Sequence, residues 1–232
     1  MTDHLGKRIK SFVIRAGRMT ESQQKGWTTG FPLHGFQLSD KNFDWDQSFD
    51  ATGRRILEIG FGMGDSLVAM ADQNPDDRYL GIEVHTPGVG KLLSEVDKRG
   101  INNLKVFAED AVQVLEDAIP PCSIDLLQIF FPDPWHKKRH HKRRLIQPDF
   151  VELIVSRLSD SGRLHLATDW QPYAEHMMEV LSANPALVNT AGAGNYIPRP
   201  DSRPETKFER RGHRLGHGVW DLMFEKAASD QT

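Results

Sequence analysis

One cysteine, Cys122, occurs in 232 residues. A lone thiol closes no internal disulfide, and no cysteine cluster exists to hold zinc, so a reducing compartment is expected. Long apolar runs are missing too, and no stretch approaches the roughly 18 residues that read as a membrane span. The opening residues, MTDHLGKRIKSFVIRAG, have no apolar core of a secretory signal, and a cytoplasmic protein is expected. Charge of one sign is not in excess. Lys and Arg number 29 against 32 Asp and Glu, for a net charge of −3. That excludes a globally basic nucleic-acid coat, and any affinity for a polyanion must come from local charge. There is no internal repeat, and no low-complexity segment beyond the final ASDQT.

What is present is ordinary for a globular chain: 38% hydrophobic and 26% charged residues, at a length that suits one domain with an appended arm. The arm is expected over residues 1–50. Lys7, Arg8, Lys10, Arg15 and Arg18 make it basic, and Gly26, Gly30, Pro32 and Gly35 break any periodicity. A mostly irregular segment, capping the core or a partner, is the expectation there, followed by one catalytic domain over 51–232.

From residue 54 the pattern alternates. RRILEIG, RYLGIEV, NLKVFAED, SIDLLQIFFPDP and GRLHLATDW read as buried strands. Between and after them DSLVAMADQNP, GVGKLLSEVDKRG, AVQVLEDAI, PDFVELIVSRLSDSG and PYAEHMMEVLSANP read as helices. ALVNT is a weaker sixth strand and GVWDLMFEKA a last one, joined by no helix. The prediction is an α/β, doubly wound, mostly parallel seven-stranded sheet with an antiparallel last strand.

Such sheets bind ligands beyond the carboxyl ends of their strands. The first strand ends in Glu58 and a loop with Gly60, Gly62 and Gly64. Glycines let a ligand approach the backbone closely. The G-x-G-x-G spacing lacks the G-x-G-x-x-G of dinucleotide binders. Glu58 would repel a pyrophosphate but suits a cationic amino-acid group, such as the ammonium of S-adenosylmethionine. Glu83, at the end of the second strand, lies 19 residues past Gly64, where a carboxylate accepts from ribose hydroxyls in the related dinucleotide fold. Asp110 follows the third strand and could accept from an adenine amino group.

The fourth strand runs into FFPDPWHKKRHHKRR, with six Lys or Arg and three His behind a single acid, Asp133. Two prolines stiffen the loop that carries Asp133, and Trp135 offers a face for stacking a base. The cations then suit a phosphate backbone, so the acid addresses a base and the basic run positions it. A solvated face or a nuclear-targeting run is the plain alternative for the cations. His136, His140 and His141 make a poor metal site, since the surrounding cations repel a metal and no carboxylate or thiolate completes the set. Cys122 precedes this strand, at the wrong end of the sheet for catalysis, and is read as structural. Asp169 and Trp170 end the fifth strand; Thr168 or Asp169 could instead cap the next helix. The late loop carries Arg199, Arg203, Lys207, Arg210, Arg211, His213 and Arg214, cations expected on the same ligand face.

LEIGFGMG, GIEVH, FFPDPWHKKRHHKRR, ATDW and ETKFERRG, in this order between roughly Gly53 and Lys226, closely resemble the bacterial tRNA (guanine-N7-)-methyltransferase family. The resemblance implies the Rossmann-like fold of class I S-adenosylmethionine-dependent methyltransferases. It implies S-adenosylmethionine as donor and, as acceptor, the guanine at position 46 in the variable loop of tRNA. It implies cofactor contacts at Glu58, Glu83, Asp110 and Asp133, and tRNA or guanine contacts at Lys137, Asp169, Thr206, Lys207, Phe208 and Glu209. Arg139, His140, His141, Lys142, Arg143 and Arg144 match its RNA-contacting stretch. Asp133 is the expected catalytic residue. No obligatory protein partner is evident, and monomer and homodimer both stay open. Pro132-Asp133-Pro134-Trp135 also sits near the loop of exocyclic-amine methyltransferases. A non-catalytic RNA-binding module on the same fold is a further reading, against which Glu83 and Asp110 argue.

Overall fold

The structure is a computed structural model that describes residues 10–12, 17–39, 43–205, 209 and 218–228. Helix α1 (Glu21–Lys25) starts at Thr20, whose hydroxyl accepts from the Gln23 amide while the Gln23 side chain accepts from the Thr20 amide. This reciprocal box satisfies two donors that a helix start otherwise leaves free. A π-helical turn (Gly26–Gly30) and α2 (Phe31–His34) continue it into strand β1 (Gly35–Phe36), and α3 (Trp45–Ser48) follows. The segment expected to be mostly irregular thus carries helix and an edge strand.

Strands β2 (Arg55–Ile59), β3 (Arg78–Ile82), β4 (Leu104–Phe107), β5 (Ile124–Phe130), β6 (Leu158–Thr168), β7 (Leu187–Asn189) and β8 (Trp220–Lys226) correspond to the seven predicted runs. Helices α4 (Asp65–Gln73), α5 (Thr86–Arg99), α6 (Ala111–Asp117), α7 (Pro148–Arg157) and α8 (Gln171–Ser182) alternate with them. The sheet has eight strands in the order β1-β4-β3-β2-β5-β6-β8-β7, and β8 is antiparallel to both neighbours. The eighth is β1, two residues paired in parallel with Val106 and Phe107 of β4. So short a strand has no period of its own; its partner makes it one. Helix α7 also ends earlier than predicted. Leu158 is fully buried and pairs with Ile124, and a bulge carries the next residues into β6 instead of the helix.

Alternate residues of a strand face opposite layers. Leu57 and Ile59 pack towards α6, α7 and α8 together with Phe43, Trp45 and Phe49 from the first fifty residues. Ile56 packs towards α4 and α5. Each such buried side chain contributes about 1.5–3 kcal/mol. The first helices dock on α5 through glycine. A Cβ on Gly26 would overlap the Gly90 carbonyl oxygen, and one on Gly90 the Gln23 carbonyl. Gly26, which broke the helical pattern in the sequence, is needed for that approach.

Strand β2 lies between β3 and β5, so the chain's direction of travel across the sheet reverses there. A ligand cleft is expected beyond the carboxyl ends at this switch point. Cys122 sits before β5, at the opposite end, and is exposed. Among the described residues no helix is long and apolar enough to cross a membrane.

Candidate active site

The loop after β2 turns through left-handed backbone at Gly60, Gly62 and Gly64, with φ of 76°, 58° and 77°. A Cβ on Gly60 or Gly62 would meet nothing within 4 Å, so these glycines leave open space. On Gly64 it would strike Leu92 of α5 at 2.7 Å. Glu83 braces the loop. One of its oxygens accepts from the Gly62 amide at 2.8 Å and the other from the His85 amide at 2.9 Å. Each oxygen keeps a lone pair for another donor. Asp110 caps α6 by accepting from the Val112 amide at 3.0 Å. Glu58, next to last in β2, is only 3% exposed, and among the described residues its Oε2 has no hydrogen-bond partner. Burial, reinforced by the charge of Glu83, pushes its carboxyl up to about 8.

Beyond β5 the backbone is left-handed at Phe131 and again at Trp135, with φ of 52° and 45°. Non-glycine residues in that region cost about 1–3 kcal/mol each and persist only where their surroundings hold them. Here the Phe131 amide donates to the Ala167 carbonyl at 2.8 Å, the Arg144 Nε to the Pro134 carbonyl at 3.0 Å, and the Trp135 Nε1 to the Ser11 carbonyl at 3.0 Å. Between the two turns, Asp133 is exposed. It lines two adjoining cavities. The inner one, about 130 Å³, is shared with Gly60, Glu83 and Asp110. The outer one, about 690 Å³, is shared with Glu83, Lys137 and His140. Phe12 lines both, so the arm reaches the cleft.

The basic run forms a short 3-10 helix, Lys138–Arg143. Lys137, Lys138, Arg139 and Lys142 are exposed, while His140, His141 and Arg143 are half-buried. Arg144 departs from the expected RNA-contacting set. It is 4% exposed, bonded to Pro134 and stacked 4.9 Å from the Tyr173 ring, so it supports the loop from inside. Trp135 lines the outer cavity, with the Arg143 guanidinium 4.8 Å from its ring centre. Among the described residues the exposed aromatic is Trp170, whose ring meets His136 edge-on at 4.4 Å and joins the ends of β5 and β6. Beside it Asp169 is exposed, and α8 starts without a side-chain cap, so Asp169 is not spent on the helix.

Glu209 is a further correction. Expected to contact substrate, it is 1% exposed and paired with Arg203 at 2.6 Å. Arg203, counted from sequence among the ligand-facing cations, is fully buried. Thr206, Lys207 and Phe208 lie outside the described residues. The sequence reading passed over Gln128, His165 and Asp221, all buried. Their signal was there: LLQIFF, LHLA and VWDLMF each carry one polar residue in an apolar strand.

A protein-family model described as "Putative methyltransferase" matches residues 53–222. A tRNA (guanine-N(7)-)-methyltransferase of Pseudomonas putida is 56% identical over 220 residues, which span 95% of this chain and 92% of the relative. The chain belongs to the tRNA (guanine-N(7)-)-methyltransferase family. Solved structures agree at the level of the fold. The 16S rRNA methyltransferase KamB superposes with a TM-score of 0.60 at 16% identity, over 81% of this chain and 95% of that one. A SAM-dependent O-methyltransferase of Thermotoga maritima gives 0.50 at 16% identity, over 78% and 62%. The fold is the Rossmann-like class I methyltransferase fold.

Proposed function

We propose that this chain transfers a methyl group from S-adenosylmethionine to N7 of a guanine in tRNA, the variable-loop guanine that the resemblance implies. The relatives' activity supports it, and one observation carries it: Asp133 borders both the cavity with the glycine loop and the cavity with the basic helix.

The residues fit the donor. Gly60 and Gly62 leave their side open, Glu83 and Asp110 offer carboxylate oxygens along the inner cavity, and Glu58 keeps one unpartnered oxygen suited to an ammonium. When bound, S-adenosylmethionine supplies an electrophilic methyl on a sulfonium.

Guanine N7 carries a lone pair and no proton, so no general base is needed to expose it. The purine ring becomes cationic as the bond forms. The protein's task is alignment and negative potential where positive charge develops. Asp133 supplies that potential on a loop braced at Phe131, Pro134 and Trp135. Asp169 accepts from the N1 and N2 donors of the guanine, with Trp170 beside it to stack a base. Lys137, Lys138, Arg139 and Lys142 take phosphates, helped by His140, His141 and Arg143. Acting on tRNA, the protein works in the cytoplasm.

The test is incubation with labelled S-adenosylmethionine and bulk tRNA, followed by nucleoside analysis. Labelled 7-methylguanosine is expected. Label on an exocyclic amine would move the chain to the neighbouring reaction class, and no label at all would refute catalysis.

A further inference from the structure

The strands β2, β5 and β6 carry a row of buried polar side chains at matching register: Glu58 beside Gln128, and Gln128 beside His165. Neighbours in register point to the same face. On β8, Asp221 extends the row, with its Oδ1 2.8 Å from the His165 Nε2. Arg203 descends onto this face from the loop between β7 and β8. Its Nε donates to Asp221 Oδ1 at 2.8 Å, and its second terminal nitrogen donates to Asp221 Oδ2 at 2.9 Å and to Glu209 Oε1 at 2.6 Å. The guanidinium lies 5.6 Å from the ring centres of both Phe130 and Phe131.

A fully buried guanidinium is a poor stabiliser, because desolvation consumes most of what pairing returns. Among the described residues its remaining terminal nitrogen has no partner. Apolar packing would cover Phe130 and Phe131 as well. What an arginine adds is a rigid fork that fixes direction as well as distance. The residues it touches are the two that lead into Pro132-Asp133-Pro134. On the far side of Asp133, Arg144 bonds the Pro134 carbonyl and stacks on Tyr173. Buried guanidiniums therefore flank the strained loop at both ends.

We propose that Arg203 is a positioning residue for methyl transfer: with Asp221 as its anchor it clamps Phe130 and Phe131, sets the height of Asp133 in the cleft, and ties Glu209 into the same clamp. This rests on the methyltransferase reading above. Arg203 touches no reacting atom; it acts through Asp133.

Arg203→Lys in the full-length protein keeps the charge and loses the fork. Asp221→Asn keeps the shape and loses the anchor's charge. For each folded variant, amide hydrogen exchange is read at Phe131, Asp133 and Trp135, affinity for S-adenosylmethionine by calorimetry, and the single-turnover methylation rate at saturating substrates. Exchange at Phe131 and Asp133 is expected to rise about tenfold or more. The rate is expected to fall about a hundredfold, as for a misplacement of about 1 Å, and by far more than any loss of cofactor affinity. Unchanged exchange or rate in the folded variants would overturn the clamp. So would a loss of cofactor affinity in step with the rate, which marks general damage to the fold. If the wild-type protein itself yields no methylated guanine, the methyltransferase reading fails, and the exchange data alone decide whether the clamp exists.

Discussion

Replacing Glu58 by glutamine is expected to stabilise the free protein and weaken its hold on cofactor at once. Glu58 is buried, its Oε2 is unpartnered, and its carboxyl titrates near 8 rather than at the ordinary 4.5. Between these values the folded protein keeps a proton that the unfolded chain has released. Stability contributed by this group is therefore whole below pH 4.5 and is lost progressively as pH rises towards 8. At about 1.4 kcal/mol per pH unit, the loss by pH 7 is about 3 kcal/mol. Glutamine has nearly the same shape and no proton to lose. Urea unfolding of both proteins from pH 4.5 to 8 is the assay. Equal stability at the acid end, and a gap opening to about 3 kcal/mol in favour of Glu58→Gln by pH 7, is the expected result. Parallel curves across that range would refute a protonated Glu58. An ammonium beside Glu58 would draw that proton off. Titration with S-adenosylmethionine at pH 7 in buffers of different ionisation enthalpy should then show proton release, absent in Glu58→Gln, with affinity weakened about tenfold or more by loss of a charged hydrogen bond.

Asp133→Ala is expected to lower the single-turnover rate about 10²–10³-fold while tRNA affinity and the unfolding midpoint hold; near-normal turnover would remove Asp133 from the mechanism. Changing Lys138, Arg139 and Lys142 together to Gln should weaken tRNA binding and flatten its log–log salt dependence by about 0.7–0.9 per lost phosphate contact; an unchanged slope would put the RNA footprint elsewhere. Arg144→Gln, by contrast, should leave that slope alone and lower stability, since it removes a buried bond to Pro134. Gly90→Ala gains about 1 kcal/mol of helix propensity but drives a methyl into the Gln23 carbonyl, backbone that cannot step aside. Overpacking at about 1–3 kcal/mol wins, and chemical denaturation should show a net loss; a stabilised variant would mean that α1 is not docked on α5.

Much of this protein was legible along the chain because its signals are local. The period of RILEI or RYLGI marks a buried strand whatever surrounds it, and a glycine before a helix marks a loop. The order of strand ends then places Gly60, Glu83, Asp110 and Asp133 on one rim, where they line one cavity. Charge was less legible, because composition counts a cation without saying which way it faces. Arg139 and Arg144 read alike in HKKRHHKRR, yet one is exposed and the other lies under the loop against Tyr173. Arg203 and Glu209 looked like ligand-facing groups until Asp221, distant in sequence, supplied the partner that buries them. Helix in the arm was hidden for the same reason, since Gly26 breaks a helix in isolation and permits one against Gly90. The sequence by itself determined seven of the strands, their alternation with helices and the switch point, since backbone pattern and chain order set these. Only the tertiary structure decided which charged side chains are offered to substrate and which hold the site in place, since burial belongs to pairs of residues that meet only when the chain is folded.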